Sequence, residues 1–440
     1  MSLKSPRVIA LDILCRVDAG AYADRLLETH RDLSDLSLVD RHLLHHLVQG
    51  TLTWRGRLDV ILQPYLGKPL AKQPPRLCNL LRLGVFQLQH LDRVPAYAVV
   101  SESVVIARQV LGNSLARLVN AVLRGVAENR KPAIFPDVKC DPVAHIAATA
   151  SHPEWMIRRW ITRYGFENTR KLCQANNTQA VLTIRPNGLK TTRDGLRERL
   201  LSDGIEAEDV PINPYVLAVP RPRELFRTQA FCDGLFSVQG PGAAWVIPLL
   251  DPQRGDQVLD VCSAPGGKTT AAAEWMHNEG RVVAVDLYAG RQKIVCQNLQ
   301  RLGLHGIRVI VADVHHLPMC EKFDRVLVDA PCSALGILNH HPDVRWRRKE
   351  TDLGELAVLQ AAILKQSAQH VKPGGVLVYS TCTLEPEENE GVVTTFLADH
   401  RDFDVEPVSN FLPFGEGAYL HLTPHTHGTD GVFAVRLRRR

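Results

Sequence analysis

Residues 258–269 read VLDVCSAPGGKT, an apolar run that continues into small residues and glycines. The apolar part, Val258–Cys262, is typical of a strand that is buried on both faces of a parallel sheet. A Gly-rich turn between a first strand and a helix is where α/β sheets bind nucleotides, because glycine lets a ligand approach the backbone closely. The stretch therefore predicts an α/β domain with a nucleotide-type ligand at this turn.

Further apolar runs follow the turn and alternate mostly with helical stretches. Each holds consecutive Val, Leu or Ile residues: Arg281–Asp286, Ile307–Asp313, Phe323–Asp329 and Gly375–Ser380. This β–α alternation predicts a doubly wound parallel sheet. Val432–Leu437 is expected to be a last strand that closes the sheet in the antiparallel direction.

Three kinds of ligand compete for the Gly-rich turn. A P-loop needs G-x-x-x-x-G-K-[ST], and Gly267–Thr269 fits its end, but Cys262 replaces the first glycine. A dinucleotide site needs G-x-G-x-x-G, of which only the pair Gly266-Gly267 is present. An S-adenosylmethionine site needs an acid after the second strand, where Asp286 stands. Its carboxylate can accept the ribose hydroxyls, and Asp313 after the third strand can accept the adenine amino group, although both could instead cap the next helices. We therefore expect S-adenosyl-L-methionine as the cofactor.

Two of the ten cysteines closely follow the ends of the fourth and fifth predicted strands, Cys332 in DAPCS and Cys382 in STCT. Ligands of open α/β sheets bind at the carboxyl ends of the strands, so both thiols are expected beside the cofactor. A lone buried cysteine is usually an inert small hydrophobe, which is our interpretation of Cys15, Cys78 and Cys296.

The rest of the chain divides into three further parts. Residues 1–130 show apolar residues at one-face helical spacing and predict an all-α domain. Residues 131–149 contain prolines with little periodicity and predict a linker. Residues 150–235 mix a helix near Glu154–Asn176 with short strand-like runs and predict a small α+β domain. Residues 236–440 then form the sheet domain, so the expected fold class is multidomain: all-α, small α+β, and Rossmann-like α/β.

Composition limits the partners and the compartment. The net charge is +5, and residues 1–130 hold 17 Lys+Arg against 11 Asp+Glu, which fits an anionic partner such as RNA or a solvated basic face. No two cysteines have the C-x-x-C spacing of zinc sites, and His425 and His427 fit a tight turn better than a metal site, so no metal is expected. The first 20 residues lack an apolar run long enough for a signal peptide or membrane span, so a cytoplasmic protein without membrane attachment is expected.

The motifs together resemble a known family. The segments DVCSAPGGKT, VVAVD, LVDAPCS, HPDVRW and VYSTCTLEPEENE are similar to the RsmB/NOP family of RNA 5-methylcytosine methyltransferases. The segments LVQGTLTWRGRLD, LLRLGVFQLQHLDRVPA and LVNAVLR resemble the NusB-like RNA-binding domain. The resemblance covers nearly the whole chain. It implies S-adenosylmethionine-dependent methylation of carbon-5 of a cytosine in small-subunit ribosomal RNA, through a cysteine adduct at carbon-6.

The resemblance also implies residue roles. Cys382 would be the nucleophile and Cys332 would assist product release, while Asp329 would hold the protonated ring nitrogen-3 and Lys268 would favour the thiolate. The cofactor pocket would be lined by Cys262, Ser263, Ala264, Pro265, Gly266, Gly267, Lys268, Asp286, Asp313 and Asp329.

Two alternatives remain open at this point. Cys332 could attack instead, as the equivalent cysteine does in DNA cytosine methyltransferases, although Glu385–Asn389 after Cys382 favours the RNA family. A non-catalytic RNA-binding assembly factor could also keep the fold, but it is expected to lose the residues named above, and all of them are present.

Basic residues of the helical part are candidates for phosphate contacts, which position RNA without reading its sequence: Arg55, Arg57, Arg82, Arg93, Arg117 and Arg124. The chain departs from the family pattern at three places. Ala334 stands where glycine is common, Asn339-His340 where basic residues are common, and Gln239-Gly240 where a Gln-Asp pair is common.

Overall fold

The computed structural model describes residues 5–222, 224–317, 319–413 and 417–440. The helices, in chain order, are α1 Pro6–Asp18, α2 Ala23–Thr29, α3 Leu38–Leu62, α4 Pro75–His90, α5 Ala96–Leu111, α6 Asn113–Ala127, α7 Pro142–Ala150, α8 Glu154–Asn177, α9 Arg193–Ser202, α10 Gln229–Cys232, α11 Val246–Leu250, α12 Gly267–Trp275, α13 Ala289–Leu302, α14 Val344–Arg347, α15 Thr351–Ala368, α16 Glu390–Asp399 and α17 Pro424–His427. The strands are β1 Leu182–Pro186, β2 Glu208–Asp209, β3 Leu217–Val219, β4 Phe236–Val238, β5 Gln257–Val261, β6 Arg281–Asp286, β7 Ile307–Val311, β8 Phe323–Asp329, β9 Val371–Thr381, β10 Phe403–Glu406, β11 Tyr419–Leu422 and β12 Val432–Arg439.

The chain forms two compact units. The first contains the chain up to Gln179 together with Leu338–Glu350, and the second contains Ala180–Ile337 and Thr351–Arg440. Among the described residues, none of the helices combines the length and the apolar character needed to cross a membrane.

The first unit is built from helices around α4. Residues 77–87 of α4 are all buried, so this helix is enclosed on every side by its neighbours. It begins at Pro75, a residue that fits the first position of a helix because proline has no N–H to leave unsatisfied. The prediction of an all-α part over residues 1–130 is confirmed.

The segment predicted as a linker contains a helix. Asp141 caps the N-terminus of α7 by accepting a hydrogen bond from the N–H of Ala144 at 2.8 Å, and Pro142 is the first helical residue. An Asp-Pro pair is a helix-start signal, and the proline-rich context hid it. Helices α7 and α8 belong to the first compact unit.

Leu338–Glu350 also belongs to the first unit, although the prediction placed it in one continuous sheet domain. Arg345 in α14 is completely buried and donates to the carbonyl of Ser151 at 3.1 Å, to Oδ1 of Asn177 at 2.7 Å and to the carbonyl of Asn176 at 3.1 Å. These acceptors lie at the C-terminal ends of α7 and α8, where helix carbonyls lack intrahelical partners. A guanidinium group is well suited to such a cluster of acceptors.

The second unit holds two sheets. The smaller has the order β2-β3-β1-β4 with antiparallel pairs. Its β4 was predicted to begin the sheet domain, but it pairs with β1 instead. Its helix α9 contributes Leu196 and Leu200 to a separate apolar core.

The larger sheet has the order β10-β12-β9-β8-β5-β6-β7, with β11 paired to β12. The five strands β5 to β9 are parallel and β12 runs antiparallel to β9, as predicted. The strand order reverses between β5 and β8, which is the switch point where open α/β sheets bind ligands. Both faces are covered by apolar cores. The fold class is that predicted from the sequence.

Candidate active site

The Gly-rich turn follows β5 and leads directly into α12. The N–H of Gly266 donates to the carbonyl of Ser263 at 2.8 Å, and Gly266 has a φ of +101°. A φ in this region favours glycine because it has no Cβ to clash. Cys262 has a φ of +63°, and burial raises the pKa of its thiol to about 12, so this cysteine stays protonated.

Asp286 connects the second parallel strand to this turn. Its Oδ2 accepts a hydrogen bond from the N–H of Ala264 at 3.2 Å, and its Oδ1 accepts from the N–H of Tyr288 at 3.0 Å. The side chain is almost completely buried. The structure thus brings Asp286 to the turn, as the sequence predicted.

Asp313 follows β7 and is half-exposed. Its carboxylate caps the short turn Val314–His316 by accepting from the N–H of His315 at 3.0 Å, and this hydrogen bond holds the pKa of the Asp313 carboxyl below its usual value. The N–H of Ala312 donates to the carbonyl of Asp286, so Asp313 lies on the strand edge next to Asp286. The capping role considered for Asp313 is present in the structure.

Lys268 forms an ion pair with the carboxylate of Asp329. Its Nζ donates to Oδ2 of Asp329 at 2.7 Å, and Oδ1 of Asp329 accepts from the hydroxyl of Ser380 at 2.9 Å. Burial lowers the pKa of the Lys268 ammonium, but the Asp329 carboxylate outweighs it and raises that pKa overall. A P-loop lysine would instead serve phosphates, so this pairing argues against a nucleotide triphosphate at the turn.

The two predicted cysteines meet at the ends of neighbouring strands. The Sγ atoms of Cys332 and Cys382 are 3.1 Å apart, and the N–H of Cys382 donates to Sγ of Cys332 at 3.4 Å. The hydrogen bond that the Cys382 thiol donates to Sγ of Cys332 and burial together raise the pKa of the Cys382 thiol well above its usual value, and Lys268 offsets this only in part. The expected effect of Lys268 is therefore present but is not the largest, and Cys382 is a thiol at neutral pH in this arrangement.

Several residues that support the site were missed from the sequence. Arg185 of β1 is buried and donates to the carbonyl of Gly267 at 2.9 Å and to Oε1 of Glu274 at 2.9 Å, which ties both ends of α12 to β1. Arg185 also donates to Oε1 of Gln239. Gln239 belongs to the Gln239-Gly240 pair that departs from the family pattern, and its side chain therefore has a defined partner. The only sequence signal was an arginine inside an otherwise apolar strand.

Two glycines pack beside Cys382. The N–H of Gly336 donates to the carbonyl of Cys382 at 2.9 Å, and the N–H of Gly431 donates to the carbonyl of Gly336 at 2.7 Å. A Cβ on Gly336 would lie 2.5 Å from the carbonyl oxygen of Gly431, so only glycine allows this approach.

The segment Pro424–Asp430 before the last strand includes the short helix α17, and Nδ1 of His427 accepts from the N–H of Thr423 at 3.0 Å. In the described part of the chain, no three His, Cys, Asp or Glu side chains are grouped as metal ligands would be.

The arginine candidates separate into two groups. Arg82 is buried and forms a bidentate ion pair with Asp59, with distances of 2.6 and 2.9 Å, so it is a structural residue and not an RNA contact. Arg55 pairs with Asp18 at 2.8 Å, and Arg57 donates to the carbonyl of Thr149 at 3.1 Å. The three that remain exposed are Arg93, Arg117 and Arg124.

A parallel sheet with a Gly-rich first turn, an acid at the second strand end and a lysine withheld from phosphate defines a Rossmann-like methyltransferase. Family models match residues 247–438 (16S rRNA methyltransferase RsmB/F), 4–128 (NusB family) and 152–225 (RsmF/B-like ferredoxin-like domain). The chain belongs to the RsmB/F family of 16S rRNA methyltransferases.

Relatives and solved structures agree with this assignment. The chain is 35% identical to the probable ribosomal RNA small subunit methyltransferase B of Bacillus subtilis over 100% of both chains, and 34% identical to the ribosomal RNA small subunit methyltransferase B of Pasteurella multocida over 99% of this chain and 96% of that one. The solved structure of PH0851 has a TM-score of 0.84 and 25% identity, and covers 100% of this chain and 99% of its own. A methyltransferase homologue from Pyrococcus horikoshii has a TM-score of 0.60 and 28% identity, over 68% of this chain and 99% of its own. The family resemblance found in the sequence is confirmed.

Proposed function

We propose that this chain uses S-adenosylmethionine to methylate carbon-5 of a specific cytosine in small-subunit ribosomal RNA, through a covalent adduct between Cys382 and carbon-6. The observation that carries the proposal is the pair of thiols 3.1 Å apart at the ends of the neighbouring strands β8 and β9. The Lys268–Asp329 ion pair belongs to the same strand ends. The names of the relatives support ribosomal RNA as the substrate.

The residues around the turn fit this cofactor. A Cβ on Gly267 would meet no atom within 4 Å, so the backbone is open to a ligand there. Asp286 and Asp313 offer carboxylate acceptors for an adenosyl group, and the turn has no lysine free for phosphate. We assign the pocket to Cys262–Lys268 with these two acids and Asp329. S-adenosylmethionine, when bound, supplies an electrophilic methyl group.

Carbon-5 of cytosine is a poor nucleophile until a thiolate has added to carbon-6. As the bond from Sγ of Cys382 to carbon-6 forms, the electron pair of the C5–C6 double bond moves to C4–C5. The electron pair of the C4–N3 double bond moves onto nitrogen-3, which takes up a proton, so the proton lost by Sγ is balanced. Asp329, held by Lys268 and Ser380, accepts the hydrogen bond of the new N3–H and stabilises the charge that develops there. Carbon-5 then has the electron density to accept a methyl group.

The second half of the reaction releases the product. The carbon-5 proton passes to a base beside the ring, for which Cys332 is the candidate, the electron pair of that C–H bond re-forms the C5–C6 double bond, and the C6–Sγ bond breaks with its pair on Cys382, which regains a proton as nitrogen-3 gives one up. Cys332 is suited to assist, because its Sγ already lies within hydrogen-bond distance of Cys382. The target base must leave its stack to reach these groups.

We assign RNA positioning to the helical part at residues 1–130. Its exposed Arg93, Arg117 and Arg124 are the candidates for phosphate contacts. The small α+β part at residues 150–235 supplies Arg185, which supports the cofactor turn.

The test is methyl transfer from a labelled donor to bare small-subunit ribosomal RNA, followed by digestion and identification of the nucleosides. Wild type is expected to yield 5-methylcytosine, Cys382→Ala none, and Cys332→Ala a protein–RNA adduct that survives denaturation. Cys296→Ala, at an exposed cysteine of α13, is the matched control. Activity in Cys382→Ala, with Cys332→Ala inactive and no adduct, would reverse the two roles. No transfer by wild type to this RNA would remove the substrate assignment and move the search to transfer RNA and assembled particles.

A further inference from the structure

Two polar side chains after β9 have no part in the reaction described above, and yet they are completely enclosed. Glu388 is 0% exposed and Asn389 is 1% exposed. Burying a carboxylate and an amide is costly unless their hydrogen bonds are satisfied. Their partners therefore show what the fold gains from them.

Glu388 holds the residues on both sides of Cys332. Its Oε2 accepts a hydrogen bond from the N–H of Ser333 at 2.8 Å and another from Nε2 of Gln360 at 2.8 Å. The same Nε2 of Gln360 donates to the carbonyl of Pro331 at 2.9 Å. The peptide groups before and after Cys332 are thus fixed by one carboxylate and one amide, both buried.

Asn389 does the same for Cys382. Its Oδ1 accepts from the hydroxyl of Thr381 at 2.6 Å, and its Nδ2 donates to the carbonyl of Thr383 at 3.1 Å. The residues before and after Cys382 are therefore tied to a single side chain. The hydrogen bonds around Cys332 and those around Cys382 are also connected, because the hydroxyls of Ser333 and Thr383 are 2.6 Å apart.

We infer that Glu388 and Asn389 are positioning residues for different halves of the reaction: Glu388 sets Cys332 for release of the adduct, and Asn389 sets Cys382 for its formation. The step-specific part rests on the proposed function. A misplacement of about 1 Å at a reacting atom costs on the order of a hundredfold in rate. The hydrogen bonds that fix the backbone around each cysteine therefore matter for the rate.

Adduct accumulation tests the inference, because it separates the two residues. Glu388→Ala is expected to form the protein–RNA adduct but to release it slowly, so adduct accumulates while kcat and KM fall together by about tenfold or more and kcat/KM is nearly unchanged. Asn389→Ala is expected to lose adduct and methyl transfer together. Glu388→Gln keeps an oxygen that can accept both hydrogen bonds and should regain most of the lost rate. Thr394→Ala, an exposed position on α16, is the matched control.

A second measurement needs neither RNA nor cofactor. Diamide oxidises two adjacent thiols to a disulfide and is itself reduced to the hydrazine, and peptide mass spectrometry follows the Cys332–Cys382 bond. Wild type and Thr394→Ala should form it quickly, whereas Glu388→Ala and Asn389→Ala should form it about tenfold more slowly if positioning is lost. Alkylation of the exposed Cys296 should be equal in all variants and controls for the reactivity of the reagent, while equal far-UV circular dichroism spectra report that the fold is intact.

The outcomes separate the two proposals. Unchanged disulfide rates in both alanine variants would overturn the positioning roles, even if wild type methylates RNA as proposed. Altered disulfide rates with parallel loss of adduct in both variants would overturn the division of labour between the two residues. If wild type makes no 5-methylcytosine, the proposed function fails and the step assignments fail with it, while the disulfide rates still decide whether Glu388 and Asn389 set the thiol geometry.

Discussion

The Nζ atom of Lys268 lies 2.7 Å from Oδ2 of Asp329, and this ion pair joins the first turn of α12 to the end of β8. The ammonium also acts on Cys382, because its charge lowers the pKa of that thiol while the hydrogen bond that the thiol donates to Cys332 and burial raise it. Lys268 therefore serves both the carboxylate proposed to bind the base and the proposed nucleophile.

Replacing this cation should make Cys382 harder to ionise. In Lys268→Met the stem remains and the charge is lost, so the pKa of the Cys382 thiol, already raised in wild type, is expected to rise further. The pH profile of Cys382 alkylation by iodoacetamide, followed by peptide mass spectrometry, should therefore shift to higher pH. The profile of the exposed Cys296 should not move. A shift of the Cys382 profile to lower pH would contradict this role of the ammonium.

Asp260 is expected to give the protein a pH-dependent stability. It is buried at the end of β5, and burial raises the pKa of its carboxyl to about 7, although the hydroxyl of Thr269 donates to it at 2.5 Å. A folded-state pKa above the unfolded value means that the stabilisation is complete below about pH 4 and is lost as the pH rises through 7. Between pH 5 and pH 8, wild type should lose about 2–3 kcal/mol of unfolding free energy relative to Asp260→Asn.

Denaturant titrations at several pH values measure that difference. Asp324→Asn is the control of opposite sign, because despite partial burial the hydrogen bonds from the N–H of Gln257 and from Lys372 lower the pKa of the Asp324 carboxyl, and its contribution is lost only as the pH falls below about 4. Its difference from wild type should thus be constant between pH 5 and pH 8. A constant difference for Asp260→Asn over the same range would show that Asp260 is ionised throughout.

Arg82 and Arg117 should respond to substitution in opposite ways. Arg82→Ala leaves Asp59 without its bidentate partner and should cost about 3 kcal/mol of stability. Arg117→Ala, at an exposed position of α6, should leave stability unchanged but weaken RNA binding and reduce its salt dependence by about one counterion. Thermal unfolding and binding titrations at several salt concentrations distinguish the two. Unchanged RNA affinity in Arg117→Ala would remove that residue from the proposed RNA surface.

The sequence predicted those parts of the fold that depend on local patterns. β8 matches its predicted run residue for residue, because its buried part Val326–Val328 is apolar, as expected of a strand covered on both faces, and it ends at the acid that begins the DAPCS motif. The short strands β10 and β11 escaped prediction, since each is defined by its pairing with β12 and not by its own composition.

For the site, too, the sequence predicted what depends on local patterns and missed what depends on packing between distant residues. The place of Lys268 near the nucleophile was implied by the family resemblance, whereas Cys332 and Cys382 follow strand ends that the β–α pattern locates, so their meeting followed from topology. The roles of Arg82 and Glu388 did not, because their partners are 23 and 55 residues away in the sequence and are brought close only by packing. A buried ion pair and a phosphate-binding arginine look the same in a sequence.

Ala334 offers a test of a strained position beside Cys332. Its φ is +62°, a region that costs an L-residue with a Cβ about 1–2 kcal/mol and that glycine adopts freely. The resemblance leads us to expect glycine at this position, and the positive φ gives a physical reason for that expectation. Ala334→Gly should stabilise the second unit by about 0.5 kcal/mol, because relief of strain exceeds the extra chain entropy that glycine brings to the unfolded state. Ala357→Gly, in the middle of α15, is the matched control and should destabilise by about 1 kcal/mol. The two denaturation midpoints should therefore move in opposite directions, and a loss of stability in Ala334→Gly would mean that the left-handed conformation carries no strain there.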